Sequence, residues 1–171
     1  MKIWFSHGKD GSPTGDKIQL LAKIAADRGW QHNSIDYRGM EDPQDRVKKL
    51  LAELNGSSEP VTLVGSSLGA HVAATASNDV DCLALFLMAP AFYFPGYEEY
   101  TPSPNARHIE IMHGWSDDVI PVDNSVRWAR QHGAVLHIVN GGHRLEENLQ
   151  DLAIIFAAFL QKVEKLAALA P

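Results

Sequence analysis

Val61-Thr62-Leu63-Val64-Gly65-Ser66-Ser67-Leu68-Gly69-Ala70 is the stretch on which the reading of this chain turns. A short apolar strand, Val61 to Val64, stops at a glycine, and helical sequence follows from about Leu68 to Ser77. Between them lies G-x-S-x-G, as Gly65, Ser67 and Gly69. A serine on a sharp strand-to-helix turn holds its hydroxyl clear of a sheet. The positions two before and two after it must be very small, because the strand and helix backbones approach closely there. The helix N-terminus adds free N–H groups and a positive dipole end for developing negative charge. With 13 glycines and 11 serines in 171 residues, the string occurs by chance about 0.06 times per chain, so its placement between strand and helix matters more than the string. Ser66 is a rival hydroxyl, but it lacks glycines at plus and minus two.

Outward from this turn, strand and helix patterns alternate. Lys2 to Phe5 reads as a strand, followed by a Gly/Ser/Pro loop from Ser6 to Thr14. Ile18, Leu21, Ala22 and Ala25 form an amphipathic helical stripe, with Gly29 as its stop. Gln31 to Asp36 is a weaker, more polar strand, best placed at a sheet edge. Asp42-Pro43 starts a helix, Asp as cap and Pro at the first position. Val47, Leu50, Leu51 and Leu54 are its stripe and Gly56 its end. Cys82 to Met88 is continuously apolar, as in a strand covered on both faces. An irregular segment, Ala89 to about Ala106, precedes a strand at His108 to Met112, a helix at about Val122 to His132 and a strand at Val135 to Val139. The last helix carries Leu149, Leu152, Ala153, Phe156 and Leu160 on one side. This alternation predicts one α/β domain over 1–171, with a mainly parallel six-stranded sheet in three α/β/α layers.

A serine hydroxyl needs a base to become a useful nucleophile. In such sheets the acid and then the base follow the serine in chain order, each after a strand end. After Met112 comes His113-Gly114-Trp115-Ser116-Asp117-Asp118-Val119-Ile120-Pro121, and after Val139 comes Asn140-Gly141-Gly142-His143-Arg144-Leu145. Ser67, Asp117 and His143 are therefore the candidate nucleophile, acid and base, with Asp118 the competing acid. Oxyanion donors are expected from the backbone N–H of Leu68 and of Lys9, with Asp10 the alternative to Lys9. His7 and His71 read as packing residues.

The formal charge of −6 gives no basic face for nucleic acid and no polybasic segment for anionic lipid. The single cysteine, Cys82, sits in an apolar run and reads as a small buried hydrophobe. The apolar N-terminal stretch is too short for a signal peptide, and no run approaches membrane-spanning length. The expectation is a cytoplasmic protein.

The loop Phe5-Ser6-His7-Gly8, the turn Gly65-Ser66-Ser67-Leu68-Gly69, the segment His113-Gly114-x-x-Asp117-x-x-Ile120-Pro121 and Gly142-His143 together resemble the α/β-hydrolase superfamily. Small size and His143-Arg144-Leu145 make the chain most similar to the compact YqiA-type esterases and the small serine hydrolases named for retinoblastoma binding. The resemblance implies carboxylic ester hydrolysis through an acyl-enzyme, without metal or organic cofactor. Larger members carry leading antiparallel strands and a helical lid. Here the chain opens on the oxyanion-loop strand, and the lid is reduced to Ala89–Ala106.

That segment holds Phe92, Tyr93, Phe94, Tyr97 and Tyr100. Phe92 and Tyr93, with Trp115, are candidate pocket walls, since ligand sites favour aromatic lining. The alternative for the segment is a loop anchored by its aromatics, and an exposed cluster would also suit a homodimer contact. Glu98-Glu99 reads as a solvated face. The substrate is expected to be a small ester. Two other readings are a thioesterase using the same residues and a non-catalytic protein-interaction module on a hydrolase fold.

Overall fold

The computed structural model describes all residues except Gly56, Ser58, 97–100 and 170–171. The expected helix stop at Gly56, the aromatics Tyr97 and Tyr100, and Glu98-Glu99 lie outside the described residues.

Six strands form one parallel sheet in the order β2-β1-β3-β4-β5-β6. They are β1 (Lys2–Ser6), β2 (Gln31–Ile35), β3 (Val61–Ser66), β4 (Cys82–Met88), β5 (His108–Gly114) and β6 (Val135–Val139). The helices are α1 (Asp16–Asp27), α2 (Pro43–Leu54), α3 (Leu68–Ala76), α4 (Val122–His132) and α5 (Leu149–Ala168). The polar β2 is an edge strand, as its composition suggested.

Side chains alternate across each strand, and this sorts the core into two layers. Ile3, Phe5, Val64, Phe86, Met88 and Met112 face α1 and α5. Trp4, Leu63, Leu85, Leu87 and Ile111 face α2, α3 and α4. Phe86 sits edge-on to Phe156 of α5, with ring centroids 5.1 Å apart. Burying a ring of this size stabilises the fold by about 2–3 kcal/mol.

Local signals match the elements they start or end. The Asp42 side chain accepts from the Gln44 N–H at 2.8 Å, with Pro43 at the first helical position. Gly29 adopts φ +78 just past α1. The stripe of α5 runs further than its sequence reading. Phe159 and Val163 are buried, whereas Leu149 and Ala153 are half-buried. The helix is 20 residues long, and Phe159 packs on the ring of Phe156, drawing the apolar side along the sheet. Cys82 is buried, and burial pushes its thiol pKa up to about 12. Among the described residues no helix is long and apolar enough to cross a membrane.

Candidate active site

All six strands are parallel, so the C-terminal ends of β1, β3, β4, β5 and β6 lie along one edge of the sheet, and the loops that leave β1, β3, β5 and β6 meet there. At the end of β3 the chain reverses into α3 within one residue. Ser67 takes φ 54 and ψ −116, a conformation costing an L-residue about 1–3 kcal/mol. The turn is held from both sides. The Ser67 N–H donates to Met88 O at 2.9 Å, and its carbonyl accepts from Ala70 and Ala91 at 3.0 and 3.2 Å. A methyl group at Gly65 would overlap Gly69 O and Ala70 Cα, and one at Gly69 would overlap Ser6 O. Both glycines are therefore steric requirements of the turn.

The acid and base loops are tied together. The Trp115 N–H donates to Val139 O at 2.8 Å and the Ser116 N–H to Gly141 O at 3.0 Å. This brings Asp117 against His143. Asp117 Oδ2 accepts from His143 Nδ1 at 2.8 Å, and His143 Nε2 lies 3.0 Å from Ser67 Oγ. The Asp117 side chain is wholly buried. Burial alone would raise its pKa, but hydrogen bonds from His113, His143 and the N–H groups of Ile120 and Val119 outweigh it and hold the carboxyl well below the usual range. It is thus an anion that can only accept, which puts the His143 proton on Nδ1 and leaves Nε2 facing the serine. Asp118 is exposed and makes none of these contacts.

Two contributors escaped the sequence reading. His113 is fully buried, and its Nε2 donates to Asp117 Oδ2 at 2.9 Å while Nδ1 lies 2.7 Å from Ser125 Oγ. It braces the same carboxylate oxygen that His143 engages. Arg46 of α2 is also buried. Its guanidinium donates to Met40 O, His7 O, Gly8 O and Lys9 O at 2.7, 3.2, 3.3 and 3.5 Å. Arg46 lies four residues before the buried Leu50, on the apolar stripe. A charged residue in such a position needs buried partners, and that was the available signal.

Arg46 and His7 shape the loop after β1. Tyr37 N–H donates to His7 Nε2 at 2.9 Å, so Nδ1 carries the proton and donates to Gly8 O at 2.7 Å. Burial lowers the His7 pKa, consistent with a neutral ring. Gly8 O also accepts from Arg46 and from Gly11 N–H. In a trans peptide the N–H points opposite to the carbonyl, so the Lys9 N–H faces away from Arg46. A Cβ built on Gly8 would lie 3.4 Å from Ser67 Cβ, which places this loop over the serine. Neither the Lys9 N–H nor the Leu68 N–H donates to another described residue.

The aromatic expectations divide. Phe92 is a correction: it has no exposed surface and stacks on Trp128 with centroids 4.5 Å apart. Positive φ at Ala89 and Tyr93 turns the chain so that this ring enters the core rather than a pocket wall. Tyr93 is half-buried, with Arg127 3.9 Å over its ring and its hydroxyl donating to Gln131. Trp115 is 61% exposed beside the Asp117 turn. His71 is buried, 6.4 Å from the Phe92 ring, as a packing residue. Among the described residues no group of three His, Cys, Asp or Glu side chains is arranged to hold a metal ion.

Residues 2–106 match the Uncharacterised protein family (UPF0227). A candidate hydrolase of the α/β superfamily from Xanthomonas campestris pv. campestris is 32% identical, with a TM-score of 0.84, over 94% of this chain and 98% of that one. Est1E from Butyrivibrio proteoclasticus superposes with a TM-score of 0.83 at 15% identity, covering 96% of this chain and 88% of its own. An α/β serine hydrolase homologue from Coxiella burnetii gives 0.77 at 20% identity, covering 93% and 84%. The last two share the fold. No protein with a curated description matches the chain.

Proposed function

This chain belongs to the UPF0227 family, within the α/β-hydrolase superfamily, and from that premise we propose that it is a serine hydrolase cleaving carboxylic esters of small to medium acyl groups. The observation that carries the proposal is the unbroken chain of contacts from Ser67 Oγ through His143 to Asp117. His143 Nε2 accepts the serine proton as Oγ attacks the ester carbonyl, and Asp117 stabilises the imidazolium that forms. The carbonyl oxygen becomes an oxyanion, for which the unengaged N–H groups of Leu68 and Lys9 are the donors. His143 then gives its proton to the leaving alcohol, an acyl-enzyme remains, and water activated by the same imidazole releases the acid. The exposed Trp115 is the candidate apolar contact for the acyl or alcohol group.

A fluorophosphonate probe tests the nucleophile directly. The folded wild type is expected to be labelled and Ser67→Ala to be unlabelled, with turnover of p-nitrophenyl esters lowered about 10⁴-fold or more. Labelling that persists in Ser67→Ala, or that is absent from folded wild type, removes the proposal.

Arg46 acts on this reaction through the loop it holds. Arg46→Met should reduce kcat for p-nitrophenyl acetate by about 10-fold to 100-fold, since losing a whole oxyanion donor costs about 10²–10³. KM should change little, because the donor is needed in the transition state rather than for substrate binding. A loss confined to KM would mean that Arg46 positions substrate instead.

A further inference from the structure

Among the described residues the most deeply buried charges are satisfied several times over. Asp117 accepts from two imidazoles and two backbone N–H groups. Glu110 meets His108, His137 and Lys162. Arg46 meets four carbonyls. Lys17, in the first turn of α1, has a single partner: its Nζ donates to Ser66 Oγ at 3.1 Å. An ammonium has three donors, and among the described residues no carboxylate lies within ion-pair distance of this one.

The position of Lys17 distinguishes it from the other half-buried lysines. Ser66 immediately precedes the nucleophile. Consecutive Cα atoms are about 3.8 Å apart, so the ammonium lies within roughly 12 Å of Ser67 Oγ. Val64 faces α1 and α5, and Ser66, two residues on, shares that face. The ammonium therefore stands at the end of β3 on the α1 side, within electrostatic reach of Asp117 and of Arg144 and Glu146, which follow His143. Arg144, the cation next to His143, is exposed and lies 3.6 Å from its own carboxylate, Glu146. Half-buried, and without an ion-pair partner among the described residues, this ammonium loses hydration that one hydroxyl replaces only in part. Its pKa reflects this: burial lowers it to about 8, Glu146 and Asp117 oppose the shift, and Arg144 adds to it. The side chain stays largely charged at pH 7. In a chain of net charge −6, a cation held next to Ser66 with no ion-pair partner among the described residues is a place for a ligand's anion.

We propose that Lys17 is an anion-binding side chain of this site and that the ester it serves carries a carboxylate near the scissile bond. This rests on the serine-hydrolase reading for the word ester, but the binding event can be measured without turnover. Ser67→Ala is titrated calorimetrically at pH 7 with monophenyl glutarate and with phenyl glutaramate, its uncharged analogue of nearly equal shape. A hydrogen bond to a charged partner in such a setting is worth enough for at least about tenfold in affinity, so the anion is expected to bind at least about tenfold more tightly. Adding Lys17→Met should bring the two ligands within about twofold. Lys17→Gln serves if the methionine variant does not fold. Adding Ser66→Ala instead removes the hydroxyl and keeps the charge, and the preference should survive.

Equal affinities in Ser67→Ala, a preference that persists without Lys17, or a preference lost with Ser66→Ala would each overturn the proposal. Failure of the hydrolase reading has a separate signature: no labelling and no ester turnover by wild type, while the Lys17-dependent preference remains.

Discussion

Ester turnover by His143→Ala falls about four orders of magnitude below wild type, measured as kcat for p-nitrophenyl acetate, with the fold unchanged by circular dichroism. The imidazole bridges Ser67 Oγ at 3.0 Å and Asp117 Oδ2 at 2.8 Å, and no other base among the described residues touches the serine. Without it the hydroxyl keeps its proton and the acyl-enzyme lacks a base for its hydrolysis. The three residues work as a unit, so the loss should resemble that of Ser67→Ala rather than add to it. Asp117→Asn should follow within about tenfold, because an amide facing Nδ1 permits the wrong tautomer. Asp118→Asn should stay within about twofold of wild type. Near-normal turnover in His143→Ala, or a larger effect at Asp118 than at Asp117, would reassign these roles.

Gly69→Ala should damage folding and activity together. The added methyl would overlap the carbonyl oxygen of Ser6 and crowd that of His7. Both are backbone atoms on the strand and loop that carry the proposed oxyanion donor, so neither can step aside as a flexible side chain would. The expected destabilisation is about 3 kcal/mol or more, a drop in Tm of about 6–12 °C for a domain of this size, and fluorophosphonate labelling should be lost even in the folded fraction. Gly29→Ala is the contrast. Its φ of +78 strains any side chain, but nothing lies within 4 Å of the added carbon, so it should cost only about 1 kcal/mol and leave labelling intact. Equal effects from the two variants would mean that backbone conformation, not close approach, decides the turn.

What the sequence made legible is what period and sterics dictate. The stripe Ile18, Leu21, Ala22 and Ala25 is the buried face of α1. The unbroken apolar run Cys82 to Met88 is a strand buried on both faces. The turn at Ser67 could be read because glycines two residues to either side leave a local steric trace. Asp117 and His143 could be read because a parallel sheet exposes its strand ends on one side. Phe92 was misplaced because composition cannot say which way an irregular segment folds; its ring found Trp128, 36 residues further along the chain. Lys17, Arg46 and His113 stayed hidden for a related reason. Their partners are carbonyls, hydroxyls and a carboxylate contributed by other elements, and no periodicity announces a contact of that kind.

The proposed base hangs from β6, a border strand joined to the sheet by β5 alone and half open to water along most of its length. The two backbone bonds from Trp115 and Ser116 clip its far end to the turn that bears the carboxylate. Fraying of that border would carry the imidazole away while the interior, built on β3 and β4, stayed intact. Warming such a molecule should silence it some degrees before it melts, and a clasp across the last two strands would be the economical way to make it more durable.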